Sequence, residues 1–167
     1  MKLYRCKVCG YLHVGEAPEE CPMCGAAKIA FVEYEAPDLK GTQTLENLLA
    51  AFAGESQANR RYSLFQNIAR LEGMSQSVID AFARPLAEET AHALSHLVYA
   101  GGFGDTKANL KAAAEGEAYE HDIMYDDFAK IAESEGLDDI AHYFRMVGKF
   151  ENEHKEGYLK ALEELEN

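Results

Sequence analysis

Beyond residue 43, apolar positions recur every three to four residues almost to the end of the chain, the period of helices with one face turned inward. Four helices follow from this pattern. The first runs from Thr44 to about Glu72, closed by Gly73, with Leu48, Phe52, Glu55, Tyr62, Phe65 and Ala69 on its inward stripe. A second, from about Ser77 to Ala100, aligns Val78, Phe82, Glu89, His92, His96 and Tyr99. Pro85 lies within it, removes a hydrogen bond and predicts a kink one turn before Glu89. After Gly101-Gly102-Phe103-Gly104, a third helix from about Thr106 to Glu135 carries Leu110, Ala113, Glu117, Glu120, Met124, Phe128 and Ile131. Gly136 ends it and Asp138 is the expected cap of a fourth, which aligns Ile140, Phe144, Val147, Glu151, His154, Tyr158 and Leu165. Carboxylates and imidazoles thus interrupt otherwise apolar seams.

The first 35 residues lack this period and are predicted to hold short strands, 2–5 and 29–34, with Tyr4, Tyr11, Phe31 and Tyr34 as a minimal apolar shell. Pro37 and Gly41 mark residues 36–43 as a linker. The expected domains are therefore 1–35, a linker 36–43, and 44–167.

Two Glu-x-x-His stretches carry the chemistry of the helical part, Glu89-Thr90-Ala91-His92 and Glu151-Asn152-Glu153-His154. Residues three apart on a helix point the same way, so each stretch converges one carboxylate and one imidazole. Carboxylate-bridged di-iron bundles combine two such helices with one Glu from each of two others. Aligning the chain with itself at a shift of 62 residues finds the missing pair. Thr44–Glu55 falls on Thr106–Glu117 with seven identities in twelve, while Glu89 falls on Glu151 and His92 on His154. Glu55, Glu89, His92, Glu117, Glu151 and His154 become the candidate ligands, with Glu89 and Glu151 as bridges and Glu55 and Glu117 as terminal ligands. Oxygen-rich ligation with two imidazoles suits iron or manganese. Glu120 aligns with Ala58 and breaks the repeat, adding one carboxylate to the set or lying just outside it. Tyr62 and Tyr125 are candidates to aim hydroxyls at the carboxylates. His96 is a candidate neighbour of the site, while His13, His121 and His142 are expected to be exposed or locally paired.

All four cysteines fall in the opening segment, as Cys6-Lys7-Val8-Cys9-Gly10 and Cys21-Pro22-Met23-Cys24-Gly25. Paired Cys-x-x-Cys knuckles hold one tetrahedral metal through four thiolates, and S₄ geometry suits either iron or zinc. A net charge of −13 disfavours nucleic acid and anionic membrane surfaces, both of which require clustered Lys and Arg. With no apolar run of about 18 residues and no leader-like opening, a soluble cytoplasmic protein is expected.

Together, Gly54-Glu55-Ser56-Gln57-Ala58, Glu89-x-x-His92, Gly116-Glu117-Ala118-Tyr119-Glu120, Glu151-x-x-His154 and the four cysteines make the chain resemble rubrerythrin over nearly its whole length. The Cys₄ segment comes first rather than last, as in the reverse-rubrerythrin arrangement, and is a shortened rubredoxin-like domain. The resemblance implies a mainly α fold, a ferritin-like four-helix bundle preceded by that Cys₄ domain. It also implies a mononuclear Cys₄ iron, with zinc as the alternative, and a di-iron centre open to manganese or zinc substitution. The implied activity is a peroxidase that reduces hydrogen peroxide to water, with dioxygen as a second oxidant. Electrons would pass through the Cys₄ iron from an NAD(P)H-dependent rubredoxin reductase or similar donor. Family behaviour further implies that one iron moves between His92 and Glu120 with oxidation state. A head-to-tail homodimer is expected to pair one subunit's Cys₄ iron with the other's di-iron site. The alternative is a ferritin-like iron-storage bundle with a structural zinc ribbon; a di-iron oxygenase would need a pocket for an organic substrate.

Overall fold

The structure is a computed structural model and is described over Met1–Glu166. It is mainly helical, with a small stranded Cys₄ module at its start, and falls into two compact units, Met1–Gly102 and one beginning at Phe103.

In the first unit, β1 (Leu3–Cys6) is the centre of a three-stranded antiparallel sheet, flanked by β2 (Leu12–Val14) and β3 (Phe31–Tyr34). Strand β2 is additional to the two strands predicted, since three residues are too few to show an alternation. Tyr11 and Phe31 are buried with Cys6 and Cys21, and Tyr4 packs on them. Helix α1 (Gln43–Leu71) starts one residue earlier than its apolar period suggests, because Thr42 caps it by accepting from the Leu45 N–H at 3.1 Å. Helix α2 (Gln76–Tyr99) packs along α1 and is continuous through Pro85.

In the second unit, α3 (Thr106–Tyr119) is capped by Asp105, and α5 (Asp138–Glu164) packs against both α3 and α4 (Tyr125–Ser134). The N-cap of α5 is Leu137 without a side-chain bond, so Asp138 is its first helical residue rather than its cap. There it still favours the helix N-terminus by its charge. The predicted third helix is interrupted by a π turn, Glu120–Met124, in which the Tyr125 N–H reaches back five residues to the Glu120 carbonyl.

That turn is a one-residue insertion between the two halves of the repeat. Up to its first residues the halves align at a shift of 62, as Glu55 with Glu117 and Asn59 with His121; after it Tyr62 matches Tyr125, Phe65 matches Phe128 and Ala69 matches Ala132, all at 63. The helices end alike. Met74 N–H bonds to Ala69 O at 3.0 Å, and Leu137 N–H to Ala132 O at 2.8 Å, again at a shift of 63. A turn shorter by one residue then restores the shift of 62 for α2 and α5. No described helix is long and apolar enough to cross a membrane.

Candidate metal centres

Each repeat half brings three of the predicted ligands together. In the first, donor atoms of Glu55, Glu89 and His92 lie within 4.8 Å of one another; in the second, those of Glu117, Glu151 and His154 do the same. His92 Nδ1 is 3.0 Å from Glu89 Oε2, and His154 Nδ1 is 2.7 Å from Glu151 Oε2. The spacing of three along the helix produces both pairs, as expected.

The carboxylates within each triad are close enough to compete for a proton. Glu55 is raised by its hydrogen bond with Glu89, by burial and by the Glu89 charge. Glu89 is lowered, chiefly because Glu55 donates to it and His92 adds to the effect. Glu117 is raised by burial first and then by Glu151. Two neighbouring carboxylates that share a proton are the form such a pair takes when no cation balances it, and metal uptake releases that proton. Two carboxylates and an imidazole from each half fit the donor set of a di-iron centre. Glu120 lies outside the compact triad, yet its charge helps to raise both Glu117 and Tyr125. Tyr125 is also raised by burial and by Glu151. Tyr62 packs against Phe65.

Two residues that hold these helices in register have no role assigned from sequence or only a vague one. Asn59 is buried one turn beyond Glu55, and its Nδ2 donates to Leu86 O at 2.8 Å and to Thr90 Oγ1 at 2.9 Å. Arg60 donates in turn to Asn59 Oδ1. At the matching place in the second half, His121 Nδ1 donates to Gly148 O at 2.7 Å. Leu86 and Gly148 each stand three residues before a ligand Glu, so the two bonds fix corresponding turns against the preceding helix. Asn59 on the ligand stripe four residues after Glu55 was the available signal. His142 is exposed, and His13 lies near Tyr11.

The four cysteines converge as the knuckle spacing demands. Cys6 and Cys24 Sγ are 3.8 Å apart, and Cys9 and Cys21 Sγ 3.6 Å. Thiolate–metal bonds of about 2.3 Å around a tetrahedral centre place sulfurs about 3.8 Å apart, so the set is sized for one ion. The two knuckles have the same backbone: Gly10 N–H bonds to Cys6 O at 2.9 Å and Gly25 N–H to Cys21 O at 2.8 Å. Both glycines adopt the positive φ that closes this turn, 85° and 72°. Burial pushes the Cys6 thiol up, but the N–H groups of Cys9 and Val8 and the neighbouring thiols outweigh it and leave it at about 7. Burial and the adjacent thiols push Cys9 up to about 12. Four thiolates therefore need a cation to coexist.

This module is seated on α2 of its own chain. Ala91 belongs to the same buried cluster as Cys6, Tyr11, Cys21 and Phe31. Leu12 N–H donates to the buried Ser95 Oγ at 3.1 Å, Tyr99 Oη donates to Gly10 O at 2.6 Å, and Tyr34 meets Tyr99 edge to face. Tyr99, expected on the same stripe as His92, instead joins Ala91 and Ser95 on a face spaced at intervals of four. Two small residues in that spacing are the sequence signal for close approach, and they carry no hydrophobic period. The module therefore abuts the helix that bears its own chain's His92.

The comparisons agree with this geometry. A family model described as "Rubrerythrin, rubredoxin-like domain" matches residues 4–32, and one described as "Rubrerythrin" matches residues 46–101 and 86–162. Rubrerythrin-1 of Clostridium acetobutylicum is 39% identical over 145 residues, covering 77% of this chain and 74% of the relative. Rubrerythrin of Porphyromonas gingivalis is 39% identical over 142 residues, covering 77% and 70%. Reverse rubrerythrin-1 of Clostridium acetobutylicum is 36% identical over 133 residues, covering 70% and 73%. With a Cys₄ group sized for one iron and Glu/His groups of a di-iron centre both present, the chain belongs to the rubrerythrin family, whose members are iron-dependent oxidoreductases of oxidative-stress defence.

Proposed function

We infer that the chain is a peroxidase that reduces hydrogen peroxide to water, H₂O₂ + 2e⁻ + 2H⁺ → 2H₂O, with electrons drawn from an NAD(P)H-dependent donor through residues 1–35 and used in residues 44–167. The observation that carries this is the pairing of two matching Glu/Glu/His triads with a thiolate module seated on one of the triad-bearing helices. A scaffold role for the module would not require that seat.

When bound, the di-iron centre supplies two electrons to one oxidant molecule. Glu89 and Glu151 would hold it as the shared carboxylates, with Glu55 and Glu117 as terminal carboxylates and His92 and His154 as imidazole ligands. Glu120 would be the added carboxylate ligand for the more highly charged oxidised state and His92 the neutral ligand for the reduced one, because a carboxylate offsets extra positive charge and a neutral imidazole does not. Tyr125, whose proton is retained to higher pH by burial and the carboxylates around it, offers a hydroxyl donor beside the second triad. Tyr62 holds the corresponding place in the first.

The test is single-turnover oxidation of the reduced, iron-loaded protein by peroxide, with metal content measured alongside. Rapid oxidation with two electrons consumed per peroxide is expected. Unchanged turnover in Glu120→Ala would sink the ligand exchange, and unchanged iron content in Glu89→Ala would sink the bridge assignment. S₄ geometry also suits a structural zinc, as in an iron-storage bundle; a colourless Cys₄ site in protein purified without added metal would favour that second role.

A further inference from the structure

We propose that Tyr143 is an exit for oxidising equivalents: Tyr125 gives up an electron beside the second triad when peroxide arrives at a site one electron short, and Tyr143 refills Tyr125 through Phe144, so that the hole ends at the surface. The proposal rests on the peroxidase reading and adds to it a protective one-electron function.

Three observations carry it. First, Tyr125 stands at the inner end of the path. It packs on α5 where Gly148 leaves room, three residues before Glu151, and the charges of Glu120, Glu151 and Glu117 all act on it. Second, aromatic rings run from it to solvent without a gap. The centroids of Tyr125 and Phe144 are 6.1 Å apart and those of Phe144 and Tyr143 6.0 Å, while Phe128 closes on Tyr125 at 6.2 Å and on Phe144 at 5.6 Å. All four are ring contacts, and Tyr143 at the outer end is 63% exposed. Third, the outer end belongs to one repeat half. In the first half Tyr62, Phe65 and Phe82 repeat the inner rings at 6.4 and 6.0 Å, but Ala81 stands at the place of Tyr143. A ring so exposed buries little apolar area, so core packing does not account for that tyrosine.

Tunnelling rates fall steeply with distance, and two ring-to-ring steps are short. Phenylalanine is much harder to oxidise than tyrosine, so Phe144 acts as a bridge and the hole rests on one tyrosine or the other. A single Cys₄ iron passes one electron at a time, which leaves some sites holding one electron when peroxide arrives. The O–O bond then breaks with that electron and a second from Tyr125, whose hydroxyl proton is also used: H₂O₂ + e⁻ + H⁺ + Tyr125–OH → 2H₂O + Tyr125–O•. Tyr143 next gives its electron through Phe144 and its proton to solvent, and Tyr125 regains a proton from solvent. A soluble thiol restores the exposed ring, R–SH + Tyr143–O• → R–S• + Tyr143–OH.

The test locates the radical rather than the turnover. Iron-loaded protein is reduced by one electron per di-iron site and mixed with peroxide and a nitroso spin trap, and the trapped rings are found by peptide mass spectrometry. Tyr143 is expected to carry the adduct. At matched iron content, Tyr125→Phe should lower that adduct at least tenfold, and Tyr143→Phe should lengthen the life of the tyrosyl signal in electron paramagnetic resonance, now held on Tyr125. Tyr119 is the internal control: it is 55% exposed and takes part in none of these ring contacts. Oxidant released into solvent would mark it as readily as Tyr143. Equal marking of the two, or a Tyr143 adduct that survives Tyr125→Phe, would overturn the proposal.

Protein reduced by two electrons per site separates this from the peroxidase reading. It should consume peroxide at the same rate with and without Tyr143→Phe, and yield at least tenfold less adduct than the one-electron sample. Failure to consume peroxide would sink the peroxidase reading itself; normal consumption with no Tyr143 adduct in the one-electron sample would sink the exit alone.

Discussion

His121 donates through Nδ1 to the carbonyl of Gly148 at 2.7 Å, at the place where Asn59 in the other repeat half donates to Leu86. Different side chains have kept the same bond to the same turn of the following helix. Each bond pins the segment three residues before a ligand Glu, so each is expected to matter for stability and for metal uptake together.

Asn59→Ala should lower stability by about 1–2 kcal/mol, the usual loss for a buried side-chain hydrogen bond to main chain. Urea unfolding of the metal-free protein measures it. A midpoint equal to that of the unsubstituted chain would show that packing alone holds α1 against α2.

Gly148 is buried, and a Cβ placed on it would lie 3.2 Å from Tyr125 Cβ. That neighbour is fixed to the helix backbone and has little room to retreat. Gly148→Ala should therefore destabilise by about 1–3 kcal/mol through overpacking. Gly157, in the same helix with open space around it, gives the opposite expectation: Gly157→Ala should stabilise by about 0.5–1 kcal/mol. Thermal unfolding of the two variants should move in opposite directions.

The inserted residue of the π turn can be tested by removing it. Deleting Asp122 brings Tyr125 to the same distance from Glu117 that Tyr62 keeps from Glu55, a register the first half accommodates as unbroken helix. The variant should fold and melt near the unsubstituted protein. Deleting Asp127 instead turns Ile131 and Ala132 by about 100° relative to the residues before the cut, and should cost far more. Circular dichroism melts of both deletions check this; equal losses would mean that the π turn is not an insertion the helix can do without.

Ligand positions are legible in the sequence because the repeat keeps Glu55, Glu89 and His92 in step with Glu117, Glu151 and His154, and because three-residue spacing on a helix leaves little freedom in where side chains converge. The π turn was legible only in part. Identities fade after Glu117, and the single-residue slip shows only when Tyr62, Phe65 and Gly73 are set against Tyr125, Phe128 and Gly136. The seat of the Cys₄ module was hidden for a different reason. Ala91 and Ser95 matter by being small, and a hydrophobic period cannot register closeness of approach.

Metal removal should act on the module first. Its buried side chains are few, and two of the most enclosed, Cys6 and Cys21, are themselves candidate ligands, so its fold and its ion stand or fall together. A chelator should loosen the chain around the already exposed Lys7 and Lys28 enough for trypsin to cut there, while the helical circular dichroism of the remainder persists. Cleavage at the same rate with and without chelator would show that the sheet holds itself.

The slip of one residue at Glu120–Met124 and its return in the turn before α5 leave the second copy the same length as the first between matching ligands. A duplicated unit has thereby been altered inside without shifting anything outside. Glu120, at the head of that turn, has no carboxylate counterpart in the first half, while the first half alone carries the thiolate module. The two copies have thereby become unequal, with the thiolate module built onto one and the additional acidic group onto the other.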